Sequence, residues 1–303
     1  MKSSFKDYLQ LHFIVLIWGF TAILGKLVTV PAVELVFYRT LFASITLGFL
    51  LYYRKRNVAL DLSELLRILG IGALIGLHWI LFFAAARVST VSVCLAGMAT
   101  TTLWTSILEP IMTKKRIQLF EVLIGLVIIL GLYVIFRFEF NHFLGLSMAV
   151  GAAFLAAMFS ILNSQMTKRQ SNPYIITFYE MIGAFLCTAI FLPLYLQFFS
   201  IDGQIHLEMN NMDVLYIVIL ATVCTVIPFS VSVELMKRIS AYTVNLTINL
   251  EPIYGIILAV IIFKDKEKMS GGFYLGTLII LMSVLIYPLI NRYYQRKVNI
   301  RDI

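Results

Sequence analysis

Long apolar runs alternate with short polar breaks along the whole chain. The runs fall near 9–28, 33–53, 65–86, 90–113, 119–137, 143–165, 173–198, 212–236, 240–263 and 271–292. An α-helix of about 20 apolar residues crosses the hydrocarbon core, where lipid offers no partner for a backbone N–H or C=O. The breaks, such as 54–61, 168–173 and 264–272, are too short to hold a soluble domain. The runs also lack the apolar-polar alternation of a membrane β-strand. The pattern predicts an all-α membrane protein with about ten transmembrane helices. The first run follows a short polar start with no small-residue cleavage site, so it is expected to be a retained span.

Composition strengthens this reading. Of the 303 residues, 60% are hydrophobic and 13% charged, against about a quarter charged in a soluble domain. The net charge of +8 then reads as a topology signal, because positive loops stay in the cytoplasm. With the N-terminus inside, 17 Lys and Arg fall on the cytoplasmic side and 7 on the other. Both termini are therefore expected in the cytoplasm and the chain in the cell (inner) membrane. The cation excess needs no nucleic-acid partner. Cys94, Cys187 and Cys224 sit inside apolar runs with no CxxC or nearby His, so they read as small buried hydrophobes. No cofactor, metal site or catalytic residue is expected.

Short matches recur at long range. Phe37-Tyr38-Arg39 returns as Phe178-Tyr179-Glu180, 141 residues on, and Arg87-Val88-Ser89 returns as Arg238-Ile239-Ser240, 151 residues on. Gly125 and Gly276 keep the second offset, and the longer polar loop near 201–213 accounts for the extra ten residues. The chain reads as two five-helix repeats, 1–138 and 139–303. Because five is odd, the second repeat is inverted relative to the first.

These residues carry a family resemblance. Trp18-Gly19 in the first run, Tyr38-Arg39 in the second, a Ser89 or Ser240 entry to the fourth of each half, and Glu251-Pro252 ahead of a charged turn at 264–268 resemble the EamA-type permeases of the drug/metabolite transporter superfamily. The resemblance implies a ten-helix secondary transporter that works by alternating access around a central cavity, often exporting amino acids or other metabolites. At the position of Glu251-Pro252 the first half has Thr100-Thr101, and its proline comes later, at Pro110.

Polar groups inside a span cost energy and face protein or water, so each is a functional candidate. Glu251 lies near the middle of the ninth run, on a helix that also carries Asn245 and Asn249. Two polar faces on one helix point to a cavity or a protein surround. Pro252 removes a backbone donor there. His78-Trp79 lies mid-span in the third run, where an imidazole can change charge near neutral pH. Trp18 lies too deep to be an interfacial anchor. Thr102, Thr105, Ser106 and Glu109 form one polar face, and Ser160, Asn163, Ser164 and Thr167 repeat the spacing in the sixth run. The candidate substrate-binding set is Trp18, His78, Trp79, Thr102, Asn163, Asn245, Asn249 and Glu251. Arg39, Glu109 and Glu180 are candidates for gating or coupling. The expected partners are a small-molecule substrate and the bilayer, with protons as a candidate coupling ion and the oligomer a monomer or homodimer.

The leading function is a secondary active transporter (permease or exporter) of a small metabolite such as an amino acid. An intramembrane lipid-modifying enzyme would call for paired Asp residues or a nucleophile beside a base, and no Asp lies in the interior of a run. A facilitative channel is the other alternative, and the sequence has no filter-like repeat.

Overall fold

A computed structural model describes residues 4–114, 119–167, 169, 172–198, 204, 208–239, 244, 247–248 and 250–301. Among these residues there is no strand. The helices are α1 (Phe5–Leu27), α2 (Ala32–Tyr53), α3 (Leu62–Val88), α4 (Val91–Met98), α5 (Thr101–Thr113), α6 (Leu119–Phe138), α7 (Phe143–Met166) and α8 (Pro173–Phe198). They continue as α9 (Asn211–Ala221), α10 (Ile227–Leu235), α11 (Glu251–Phe263) and α12 (Gly271–Arg301). Seven helical stretches among the described residues are long and apolar enough to cross a membrane, and Leu123–Phe138 and Gly271–Ser283 are shorter apolar helices. The chain is a multi-pass membrane protein.

Two expected spans are not single α-helices. The fourth run breaks at Ala99–Thr100 between α4 and α5. Thr100 Oγ1 donates to the Gly97 carbonyl and Thr101 Oγ1 to that of Met98, both at 2.7 Å. Such hydroxyl-to-backbone bonds offer the chain a local alternative to the helical ladder. The eighth run passes from α9 to α10 through a π turn, Thr222–Val226, and Thr225 Oγ1 donates back to the Leu220 carbonyl at 2.7 Å. Pro110 stays inside α5. The ninth run is described fully only from Leu250 onward, as α11.

α3 is the central helix and packs on α7, α8 and α2. Its crossing with α8 is close because a Cβ on Gly72 would meet the Glu180 carbonyl, and one on Gly183 would meet that of Leu69. Small residues at such crossings let backbones approach, which drives helix association where lipid supplies no hydrophobic contrast. α6 packs on α12 around Gly131 and Gly276, and each faces the other's carbonyl. The outer sides of these two helices carry exposed Leu126, Leu130, Leu275 and Leu278, suited to lipid.

The ends of the bundle are tied by polar bonds. Lys26 Nζ, at the end of α1, donates to the Ala86 carbonyl at 2.7 Å and the Ser89 carbonyl at 3.4 Å. Arg87 Nη2, at the end of α3, donates to the carbonyls of Gly25 and Val28 at 3.2 and 3.1 Å. Each cation thus caps the other helix's C-terminus, where open carbonyls and the macrodipole favour positive charge. The Glu267 carboxylate accepts from the N–H groups of Val91 and Ser92 at 2.9 and 2.8 Å, capping α4. Asp213, in the first turn of α9, accepts from Thr29 N at 2.7 Å and Thr29 Oγ1 at 2.6 Å. At the other end, Asp7 of α1 pairs with Arg238, just beyond α10, at 3.2 Å.

Candidate functional site

α1, α2, α3, α5, α7, α10 and α11 converge on a cavity of about 90 Å³. Its polar wall begins with Arg39 of α2, a fully buried guanidinium. Arg39 Nε donates to Thr225 Oγ1 at 2.8 Å, a hydroxyl presented by the π turn. Its Cζ lies 3.9 Å from the Trp79 ring centroid, so the indole face holds the cation in place. Glu251, the first residue of α11, lines the same cavity. Among the described residues Arg39 and Glu251 form no ion pair with each other.

Imidazole and aromatic rings make up much of the remaining wall. His78 Nδ1 lies 2.8 Å from the Ala152 carbonyl. A carbonyl only accepts, so Nδ1 carries the proton and Nε2 is the ring's acceptor in the neutral form. His78 packs against Phe82 and, edge-on, Phe159 at 5.4 Å. Phe229 of α10 sits among Trp18 at 5.7 Å, Trp79 at 5.4 Å and Phe159 at 6.2 Å. The two indoles meet Phe229 edge to face, a favoured aromatic geometry. Hydroxyl and amide groups complete the lining: Thr21, Thr101, Ser160, Asn163 and Ser232.

Trp18, Arg39, His78, Trp79, Asn163 and Glu251 from the sequence-derived set all line this cavity. Thr102 is buried in α5 and faces elsewhere, while its neighbour Thr101 takes the lining position. Glu109 lies further along α5, outside the lining. Glu180 is fully buried in α8 with Asn163 beside it, one layer behind the wall. Asn245 and Asn249 lie outside the described residues. The sequence reading missed Phe159 and Phe229, because a phenylalanine in an apolar run carries no mark that separates a cavity wall from a lipid face. It also missed Thr21 and Ser232, single hydroxyls in otherwise apolar stretches.

A multi-span helical protein with a buried, charged and aromatic central cavity belongs to the class of membrane transporters. The comparison with known families gives that class its family: the EamA-like transporter model matches residues 8–137 and 143–287, and the chain belongs to this family of membrane transporters, which are not enzymes. No curated protein matches the chain. Among solved structures, one crystal structure with 16% sequence identity is similar at a TM-score of 0.67, over 96% of this chain and 99% of the other. That likeness concerns the fold alone.

Proposed function

We propose that the chain is a secondary transporter of a small polar or amphipathic metabolite, such as an amino acid or related compound. It works by alternating access around the central cavity, within ten spans arranged as two inverted five-helix repeats, 1–138 and 139–303. The observation that carries the reading is the cavity itself, walled by helices from both halves and holding Arg39 and Glu251 without an ion pair between them. At about 90 Å³ it is smaller than the roughly 300–1,000 Å³ of drug-sized ligand sites, so the occupant is small or the walls move.

Helix neighbours support the repeat. The contact of α3 with α7 has its counterpart in α9 and α10 with α1, and that of α4 and α5 with α7 in α11 with α1. The contact of α3 with α8 has its counterpart in α9 with α2, while α2 with α8, α4 with α11 and α6 with α12 are their own counterparts. These contacts exchange with one another when the halves are swapped, as a two-fold relation requires, whereas those of α1 with α3 and with α4 have no equally extensive counterpart from α7. The matched segments 8–137 and 143–287 divide the chain at the same place. The helix starts at Thr101 and Glu251, both at the cavity, support the reading, because transporter sites gather helix ends near the midplane.

Both termini are assigned to the cytoplasm of the cell membrane. Of the 7 cations on the far side, Lys26 and Arg87 are engaged by helix ends and Arg39 by the cavity, which leaves the cytoplasmic excess larger than a raw count. Protons are the proposed coupling ion, with Glu251, which lines the cavity, as the carrier.

Counterflow in proteoliposomes tests the transport reading. Saturable exchange of at least one compound from a broad panel of labelled metabolites is expected, and no exchange across the panel overturns it. Flux that does not saturate identifies a channel instead.

A further inference from the structure

Two buried donors on side chains that line the cavity have no acceptor among the described residues. Arg39 Nη1 and Trp18 Nε1 are both shielded from solvent and lack a hydrogen-bond partner, and both side chains line the cavity. Buried polar groups are nearly always satisfied, and leaving one open costs about 1–3 kcal/mol, more for a charged group. Two such donors on the side chains around one cavity call for an acceptor.

The chemistry of that ligand follows from the donors. A guanidinium and an indole N–H donate and do not accept, so the group that satisfies them is an acceptor. A fully buried cation calls for a negative charge as well. Arg39 cannot turn away to find another partner, since Nε is held by Thr225 and its plane lies on Trp79. Trp18 is held edge-on by Phe229. The acid that could neutralise Arg39 from within the protein, Glu251, lines the cavity without pairing with it.

We propose that Arg39 Nη1 and Trp18 Nε1–H form a carboxylate-binding subsite, so that the transported metabolite is a carboxylic acid anchored by its carboxylate. Glu251 is then free to meet a positive group on the same molecule, and Phe159 and Phe229 take its apolar part. The proposal rests on the transport reading, and equilibrium binding separates the two.

The purified protein in lipid nanodiscs is titrated with labelled leucine, phenylalanine, methionine and threonine, each beside its carboxamide and its decarboxylated amine. The expected result is that at least one acid binds about ten- to a hundredfold tighter than its amide, the span set by hydrogen bonds to a charged group. Trp18→Phe keeps the ring and removes only the N–H, and it reduces that preference roughly tenfold by the same measure. Arg39→Gln abolishes the preference, and Arg39→Lys restores it in part, because an ammonium keeps the charge but loses the fork. Should the Arg39 variants fail to fold, the Trp18→Phe result decides. Equal binding of acids and amides, binding of amines alone, or binding of no acid overturns the subsite. Acid-selective binding without counterflow overturns the transport reading and leaves the subsite standing. Counterflow without acid preference does the reverse.

Discussion

Arg39 of α2 and Glu180 of α8 stand 141 residues apart at the end of the same three-residue motif, one a base and the other an acid, and are both fully buried. Their surroundings differ. Arg39 is stacked on Trp79, tethered to Thr225 and open to the cavity. Glu180 lies behind the wall, where Gly72 of α3 lets the two backbones close over its position. An aromatic face keeps one charge available, whereas a glycine crossing seals the other in. Matching places in a repeat therefore set where two residues stand, and the neighbouring side chains decide what each can reach.

Substitutions can break or sharpen that contrast. The largest effect is expected from Glu180→Lys, which places an ammonium in a dry helix crossing with no anion beside it. Loss of folded, monodisperse protein on size-exclusion chromatography is expected, because an unpaired buried charge is strongly destabilising. A Lys variant recovered at wild-type yield would show that the position has a route to water. Next comes Arg39→Gln, expected to lower counterflow about tenfold or more through loss of a charged hydrogen bond while the thermal melt in detergent stays near that of the parent.

Gly72→Ala is a subtler way to disturb the sealed side. The added methyl meets the Glu180 backbone and costs about 1–3 kcal/mol of overpacking, read as a lower melting temperature. Gly70→Ala, in the same helix with nothing within 4 Å of the new Cβ, gains helix propensity of up to about 1 kcal/mol and leaves the melt unchanged or raised. The smallest effect on exchange is expected from Glu180→Gln, which keeps the shape. Counterflow and accumulation driven by a pH gradient both stay close to wild type, as expected of a group sealed away from the cavity. A mutant that loses accumulation on a pH gradient would show that Glu180 exchanges protons with the cavity.

Much of this was legible in the sequence, and the rest was hidden for physical reasons. Apolar runs of membrane length announce themselves because lipid forbids unpaired backbone, and each run coincides with helix among the described residues. Charged, imidazole and indole groups inside those runs are costly enough to be conspicuous, which is why Arg39, His78, Trp79 and Glu251 stand out in the sequence. The break at Ala99–Thr100 was not legible, since it has no proline and rests on threonine hydroxyls that bond their own backbone. Pro110, the one proline of this run, is accommodated within α5. The choice between Thr101 and Thr102 depends on helix rotation at that break, which periodicity across an interrupted helix does not carry. Phe229 is central to the aromatic wall only because α1, α3 and α7 bring their rings to it, a three-dimensional fact without a one-dimensional trace.

The exchange of caps between α1 and α3 has a mechanical consequence. With Lys26 holding the end of α3 and Arg87 holding the end of α1, sliding either helix past the other would break both clasps at once, so the pair travels as one strut. Opening the bundle at this end must part that strut from its surroundings. The threads that have to be cut first are the Asp213 carboxylate, which ties the strut's outgoing loop to α9, and the Glu267 carboxylate, which ties the start of α4 to the turn after α11.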